Sequence, residues 1–377
     1  MEIFKKYKLA TTLVLLFCTL VVGVTTGYNF YSFRNYQEII IPGAGVTETF
    51  KLSTYLSKLA GGIGDTDVYV LKGAAEGGSM LVLGGTHPNE PSGHLAALTL
   101  IESAKLDAGT LYVIPRANNS AFTHNDAQEG SPHFYHLTTK SGVREFQYGS
   151  RATNPLDQWP DPDVYIHASS GQTLSGSETR NLNRAYPGVE DGTLTEQVAF
   201  AITEMIRALQ IDVTIDLHEA SPEYPTINAI VAHERAMDLA ANTSLEMQFN
   251  GVDISLEPSP VNLRGLTHRE LGDHTDTLAV LMETGNPSQG RLRGKTNERL
   301  ALDGKDKFYV HAAEMGYLYI PYTENGVPIE ERVGRHLQGI LEFANTYGLL
   351  YGEPITITDT PTYAELMASG DLGSYLN

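Results

Sequence analysis

Met80-Leu81-Val82-Leu83-Gly84-Gly85-Thr86-His87-Pro88-Asn89-Glu90 joins an apolar run to a turn-prone segment that carries two metal-capable side chains. The apolar part reads as a buried strand and Gly84-Gly85 as its end; Pro88 and Pro91 stiffen the loop beyond it, so that His87 and Glu90 can aim at one point. A second apolar run, Val213-Thr214-Ile215-Asp216-Leu217, closes on His218. Two histidines and a glutamate from remote segments suit a catalytic Zn²⁺ site, which takes three protein ligands and keeps one position open. Singly these residues have plainer readings, His-x-x-Glu as a chance spacing and His218 as a hydrogen-bonded histidine at a sheet margin. Together they point to a zinc hydrolase.

Around these two runs the pattern alternates. Val68 to Leu71 and Met80 to Leu83 read as strands separated by a glycine-rich turn, Gly73 to Gly78. A helix is expected from about Ser92 to Ala104 and a strand at Leu111 to Ile114, a strand-helix-strand order typical of parallel α/β sheets. Asn118 to Gly188 is polar, without periodicity, and reads as long ordered loops walling a site. Regular pattern resumes with a helix from Thr195 to Leu209, the strand ending at His218, a strand at Asn228 to Ala232 and a helix at Glu234 to Phe249. Leu278 to Met282 is a further buried strand, which delivers Glu283, and a helix near Ile329 to Tyr347 closes the core. The expected fold class is α/β, a twisted, mixed but largely parallel sheet flanked by helices.

Lys5, Lys6 and Lys8 precede a stretch from Leu9 to Phe33 without a charged residue. It is long enough to span a bilayer core of about 30 Å, and the flanking lysines favour a cytoplasmic N-terminus with the remainder translocated. Residues 1–34 are therefore expected to be a signal anchor or signal peptide with a tether, and the catalytic part to lie outside the cytoplasm. Residues 35–64 read as a linker with a short helix around Lys51 to Leu59, 65–350 as the zinc-hydrolase domain, and 351–377 as a tail or edge element. Cys18 is the only cysteine, so a disulfide framework and a thiolate metal site are both excluded from the exported body. A formal charge of −19 argues against nucleic acid as a partner. At 377 residues with 41% hydrophobic content, a substantial core is available.

Other residues carry chemistry by type and place. Glu283 ends its strand where a general base is needed, and Asp216, two residues before His218, shares its strand face and can support a ligand. Asn181-Leu182-Asn183-Arg184-Ala185-Tyr186-Pro187-Gly188 supplies an amide and a guanidinium suited to a carboxylate. Leu266 to His274 reads mainly as a charged helix surface, with a pocket wall as the alternative. His124, His133, His136, Arg291 and Arg293 are candidate pocket residues whose plainer reading is solvent exposure.

His87-x-x-Glu90, Asn183-Arg184 within Asn-Leu-Asn-Arg-x-Tyr-Pro-Gly, Asp216-Leu217-His218 and Glu283 within Met-Glu-Thr-Gly occur in that order. In this the chain resembles the succinylglutamate desuccinylase/aspartoacylase family of the zinc carboxypeptidase superfamily, over approximately residues 65 to 350. The resemblance implies a zinc carboxypeptidase-like fold, one Zn²⁺ per chain held by His87, Glu90 and His218, Glu283 as general base, and Asn183 and Arg184 on the substrate carboxylate. The second arginine of that superfamily's pattern falls here on Ser175 to Ser177; Arg180 is the nearest substitute, with Arg151 and Arg144 as others. The expected function is hydrolysis of an amide bond in a small carboxylate-bearing substrate, an N-acyl amino acid or a peptide. The alternatives are a carboxypeptidase-like enzyme on cell-wall or other extracytoplasmic peptides, and a non-catalytic surface binding protein on a hydrolase scaffold.

Overall fold

Alternation along the apolar strands sorts their side chains onto two faces, and the fold arises from covering both. The computed structural model describes residues 2–126 and 129–377, with side chains from residue 7 onward. Two units are distinguished, Met1–Gln37 and Glu38–Asn377. The first holds α1 (Glu2–Asn35), of which Tyr7–Asn35 is long and apolar enough to cross a membrane, a test that a signal sequence also passes. Leu13, Phe17 and Val24 are exposed on it.

The second unit runs β1 (Val46–Lys51), β2 (Asp67–Lys72), β3 (Ala75–Leu83), α2 (Pro91–Ser103), β4 (Lys105–Ile114), then two small hairpins, β5 (Phe134–Thr139) with β6 (Gly142–Gln147) and β7 (Val164–Ile166) with β8 (Thr173–Ser175). It continues with α3 (Leu194–Leu209), β9 (Val213–Ala220), β10 (Ala229–Ala232), α4 (Met237–Phe249), β11 (Ser255–Pro258), α5 (Thr267–His274) and β12 (Leu278–Gly285). The last elements are α6 (Glu298–Asp303), α7 (Lys307–Glu314), α8 (Ile329–Tyr351), β13 (Thr356–Thr358) and α9 (Tyr363–Ser369). The main sheet has the order β1-β2-β4-β3-β9-β12-β10-β11, with β13 on β4. Strands β4, β3, β9 and β12 are mutually parallel at its centre, while β10, β2 and β13 pair antiparallel. The mixed, largely parallel sheet flanked by helices is the expected class.

Met80 and Val82 of β3, Val213, Ile215 and Leu217 of β9, and Val280 and Met282 of β12 pack into one core with α2, α4 and α8. Their alternate neighbours, Leu81, Leu83 and Ala279, face the other side, where α3 and Leu271 of α5 complete a second core. Each fully buried Leu, Ile or Val contributes roughly 1.5–3 kcal/mol. The same alternation fixes the chemistry: Asp216, His218 and Glu283 share the α5 face, while Glu219 points toward α8.

Where a helix is expected around Lys51 to Leu59, the chain forms β1 and two short 3₁₀ turns, Leu52–Thr54 and Ser57–Leu59. The β-branched Val46, Thr47 and Thr49 favour the extended edge strand, and Phe50 stacks edge-on against Tyr55. Part of the glycine-rich stretch, Ala75 to Gly78, belongs to β3, and β9 extends beyond His218 to Ala220.

Glu38 is held inside the second unit by His94 Nε2 at 2.5 Å, the Gln147 amide at 3.1 Å and Arg116 at 3.4 Å. Burial raises its pKa, but His94, Arg116 and the Gln147 N–H outweigh that and lower it from 4.5 to about 2. A folded pKa below the unfolded one stabilises at pH above the unfolded value, and the contribution disappears as pH falls through the folded value, a span worth roughly 3 kcal/mol here. Urea titrations should show stability falling between about pH 4.5 and pH 2, with a shallower fall in Glu38→Gln. An identical slope in the variant would remove Glu38 from the account.

Candidate active site

Three local devices bring the site together. Gly85, at φ +66, turns the chain out of β3 in a conformation that L side chains rarely adopt. A second turn, with the Glu90 amide donating to the His87 carbonyl at 3.0 Å, puts Glu90 at the N-cap of α2 with Pro91 next. At Gly93 a Cβ would stand 2.6 Å from the Leu217 carbonyl oxygen, so α2 lies directly on the end of β9, beside His218.

The donor atoms of His87, Glu90 and His218 lie within 4.8 Å of one another, and all three residues are buried. His87 Nδ1 is 2.9 Å from Glu90 Oε1, and His218 Nδ1 is 3.0 Å from Glu90 Oε2. Each imidazole is oriented through its other nitrogen, His87 Nε2 by Asn181 Oδ1 at 2.8 Å and His218 Nε2 by Asp216 Oδ2 at 2.9 Å. Asp216 is itself fixed by the hydroxyls of Thr86 at 2.7 Å and Thr267 at 2.6 Å. This fits a divalent cation: two oriented imidazoles and a carboxylate, each with outer-shell support, converge on one buried point.

Burial lowers the pKa of His87. It acts the same way on His218, but Asp216 and Glu90 outweigh it and hold His218 well above the ordinary imidazole range. Burial raises Glu90, and the two histidines more than reverse that.

Glu283, opposite His218 in the β9–β12 register, borders the same cavity of about 580 Å³. Its Oε2 has no hydrogen-bond partner among the described residues. Enclosure pushes its pKa up to about 8, with His218 opposing and the negative charge of Glu90 adding to the rise. Asn183 and Arg184 line the cavity as well. The Asn183 side-chain oxygen accepts from the Thr267 amide at 2.8 Å, which leaves its NH₂ group uncommitted among the described residues.

Arg180 is not part of this wall. Its guanidinium forms a fork with Asp161 at 2.7 and 2.9 Å and donates to the Thr153 carbonyl, so it braces the long loops. Arg151 takes the place facing the cavity, 3.9 Å from Glu90 Oε1. Arg144 is committed to Glu102. His124 bonds to the Ala152 carbonyl, His133 lies beside β5, His136 pairs with Glu298 on the β5–β6 hairpin, and Arg293 pairs with Glu129. Arg291 is exposed.

His268, expected on a helix surface, is 3% exposed and borders the cavity. Sequence reasoning does not reach Asn181 as the His87 partner, or Tyr224 and Glu257 as cavity residues. The Asn-x-Asn spacing is the one available signal for Asn181.

No family model matches the chain, and a search of curated proteins finds no match. Among solved structures, it is similar to a succinylglutamate desuccinylase/aspartoacylase from Rhodobacter sphaeroides, with 14% identity, TM-score 0.40, and 79% of this chain and 62% of that one covered. A second is the ectoine utilization protein EutE (DoeB) from Ruegeria pomeroyi, in a product-bound structure, with 20% identity, TM-score 0.39, and 68% and 66% covered. A third is a metallo-carboxypeptidase from Burkholderia cenocepacia, with 11% identity, TM-score 0.44, and 85% and 68% covered. The chain thus spans 62% and 66% of the length of the first two. Succinylglutamate desuccinylase/aspartoacylase proteins and metallo-carboxypeptidases stand together among the solved structures similar to this chain.

Proposed function

We propose that this chain is a zinc-dependent hydrolase of an amide bond adjoining a free carboxylate, in an N-acyl amino acid or a peptide, and that it works outside the cytoplasm with residues 1–34 as anchor or export signal. The observation that carries the reading is Glu283, an unpartnered carboxylate oxygen beside a buried His-Glu-His donor set in one cavity. His87, Glu90 and His218 would hold the ion, which when bound polarises the amide carbonyl and makes water more acidic. Asn183 and Arg184 grip the carboxylate, which fixes the scissile bond relative to Glu283. Glu283 accepts a proton from the attacking water as the new carbon–oxygen bond forms, then returns it to the nitrogen as the carbon–nitrogen bond breaks. Arg151, which lines the cavity as Arg180 does not, would balance charge developing on the carbonyl oxygen.

The test is metal content followed by hydrolysis of a panel of N-acyl amino acids and short peptides, with and without chelator. About one zinc per chain and chelator-sensitive turnover are expected. His87→Ala and His218→Ala should each lower zinc affinity by a hundredfold or more, since each removes one of three protein ligands. Full zinc occupancy in either variant would refute the ligand set, and stoichiometric zinc without turnover of any panel member would refute the hydrolase.

A further inference from the structure

The cavity continues past Glu283 along the strands at its side. Glu257 of β11 is level with Val231 of β10, which is level with Leu281 of β12, two residues before Glu283. Glu257 therefore lies on the same sheet face as Glu283. Two strand spacings and one two-residue step separate their Cα atoms by roughly 12 Å. Val231 lies level with Glu257 on that face, and Pro258, Leu263 and Leu266 add apolar surface to the cavity lining.

Glu257 accepts from the Thr226 hydroxyl at 2.9 Å, and no cationic side chain among the described residues pairs with it. His268 stands in the same wall, with neither ring nitrogen hydrogen-bonded among the described residues. Its backbone is fixed from the preceding residue: Thr267 donates from its amide to Asn183 at 2.8 Å and from its hydroxyl to Asp216 at 2.6 Å. An imidazole anchored in this way and left unpartnered is a group built to meet a ligand, since a buried polar atom without a partner costs about 1–3 kcal/mol.

Because Thr267 binds Asn183, His268 stands on the carboxylate-gripping side of the scissile bond, where the substrate's own side chain must run. Resting on the hydrolase reading above, we propose that Glu257 and His268 form a subsite for that side chain and select substrates whose carboxylate-bearing residue ends in an ammonium group. An extended four-carbon stem lies along the apolar wall, passes His268 and sets its ammonium against Glu257. An acidic side chain entering the same way meets Glu257 as a like charge. Arg151 stands beside Glu90 and Arg184 beside Glu178, whereas Glu257 has no cationic partner among the described residues. Burial pulls His268 down to about 3, against the opposing charge of Asp216, so it is a neutral donor and acceptor at physiological pH.

The probes are Nα-acetyl-lysine, Nα-acetyl-norleucine, which has the same stem without the ammonium, and Nα-acetyl-glutamate, each in both enantiomers. Binding is measured by calorimetry on zinc-loaded Glu283→Gln protein, so that nothing turns over. The lysine derivative should bind about tenfold or more tighter than the norleucine derivative, the worth of one charge-assisted hydrogen bond. Adding Glu257→Gln, which keeps an acceptor for Thr226, should erase that preference while norleucine affinity stays the same. His268→Phe should weaken lysine binding and His268→Gln should restore most of it.

Equal binding of the lysine and norleucine derivatives, no binding of any probe, or a preference that survives Glu257→Gln would overturn the subsite. Turnover by protein with Glu283 intact separates the two ideas. Hydrolysis without side-chain preference leaves the hydrolase standing and removes the subsite, whereas selective binding without turnover of any probe does the reverse.

Discussion

Glu283→Gln is expected to retain stoichiometric zinc and a native circular dichroism spectrum while kcat falls a hundredfold or more, the usual range for losing a general base. The amide fills nearly the same volume and can still accept a hydrogen bond, but it cannot take a proton. The substitution also removes a carboxylate that stands close to Glu90 in an enclosed setting, the like charge that helps raise Glu283 to about 8. Metal affinity should therefore change far less than in the two histidine variants, and KM little, because Asn183 and Arg184 are untouched. Unchanged kcat in a zinc-replete variant would show that another group moves the proton. Lost zinc would mean that Glu283 is a ligand rather than a base.

Arg332→Ala is expected to cost about 3–5 kcal/mol of stability, the largest single loss foreseen in the second unit. Arg332 and Glu219 are fully buried and joined at 2.9 Å. Arg332 also donates to the Ala301 carbonyl, and Asn286 donates to Glu219 at 2.8 Å. Removing the guanidinium leaves a carboxylate sealed in the core, whose pKa burial already raises and Arg332 restrains. The stranded charge dominates the cost, so Arg332→Met combined with Glu219→Gln should recover much of what Arg332→Met alone loses. Urea unfolding of the four proteins in this cycle measures the coupling, and strictly additive effects would mean that the pair contributes only packing. The Glu219 amide donates to Glu90 Oε2 at 3.0 Å, so weakened zinc binding in Arg332→Ala should accompany the loss of stability.

A short apolar run bounded by turn residues is a local property, and so the central strands and the residues that end them are legible in the sequence: Met80 to Leu83, Val213 to Leu217 and Leu278 to Met282 are such runs. His87, Glu90, His218 and Glu283 are legible for the same reason, each being read from its own segment. The features that sequence does not reveal depend on distant partners. Arg180 is the arginine nearest to Asn183 upstream, yet Asp161 captures it, and Arg151 from farther away faces the cavity instead. The segment Thr267-His268-Arg269-Glu270 has a surface composition but lies buried, because Glu234 pairs with Arg269 and Arg264 pairs with Glu270 from outside the helix. Around Lys51 the strand wins over a helix because β2 offers it an edge to pair with, which no local pattern announces.

The contact of Gly93 with the Leu217 carbonyl has a bearing on how the donor set is held together. With only a hydrogen atom between α2 and β9 at that point, hard contact sets how closely the loop bearing His87 and Glu90 can approach the strand bearing His218. The ring of donors is therefore sized before any ion arrives. Any side chain at position 93 would have to prise helix from sheet and, with it, draw His87 and Glu90 away from His218.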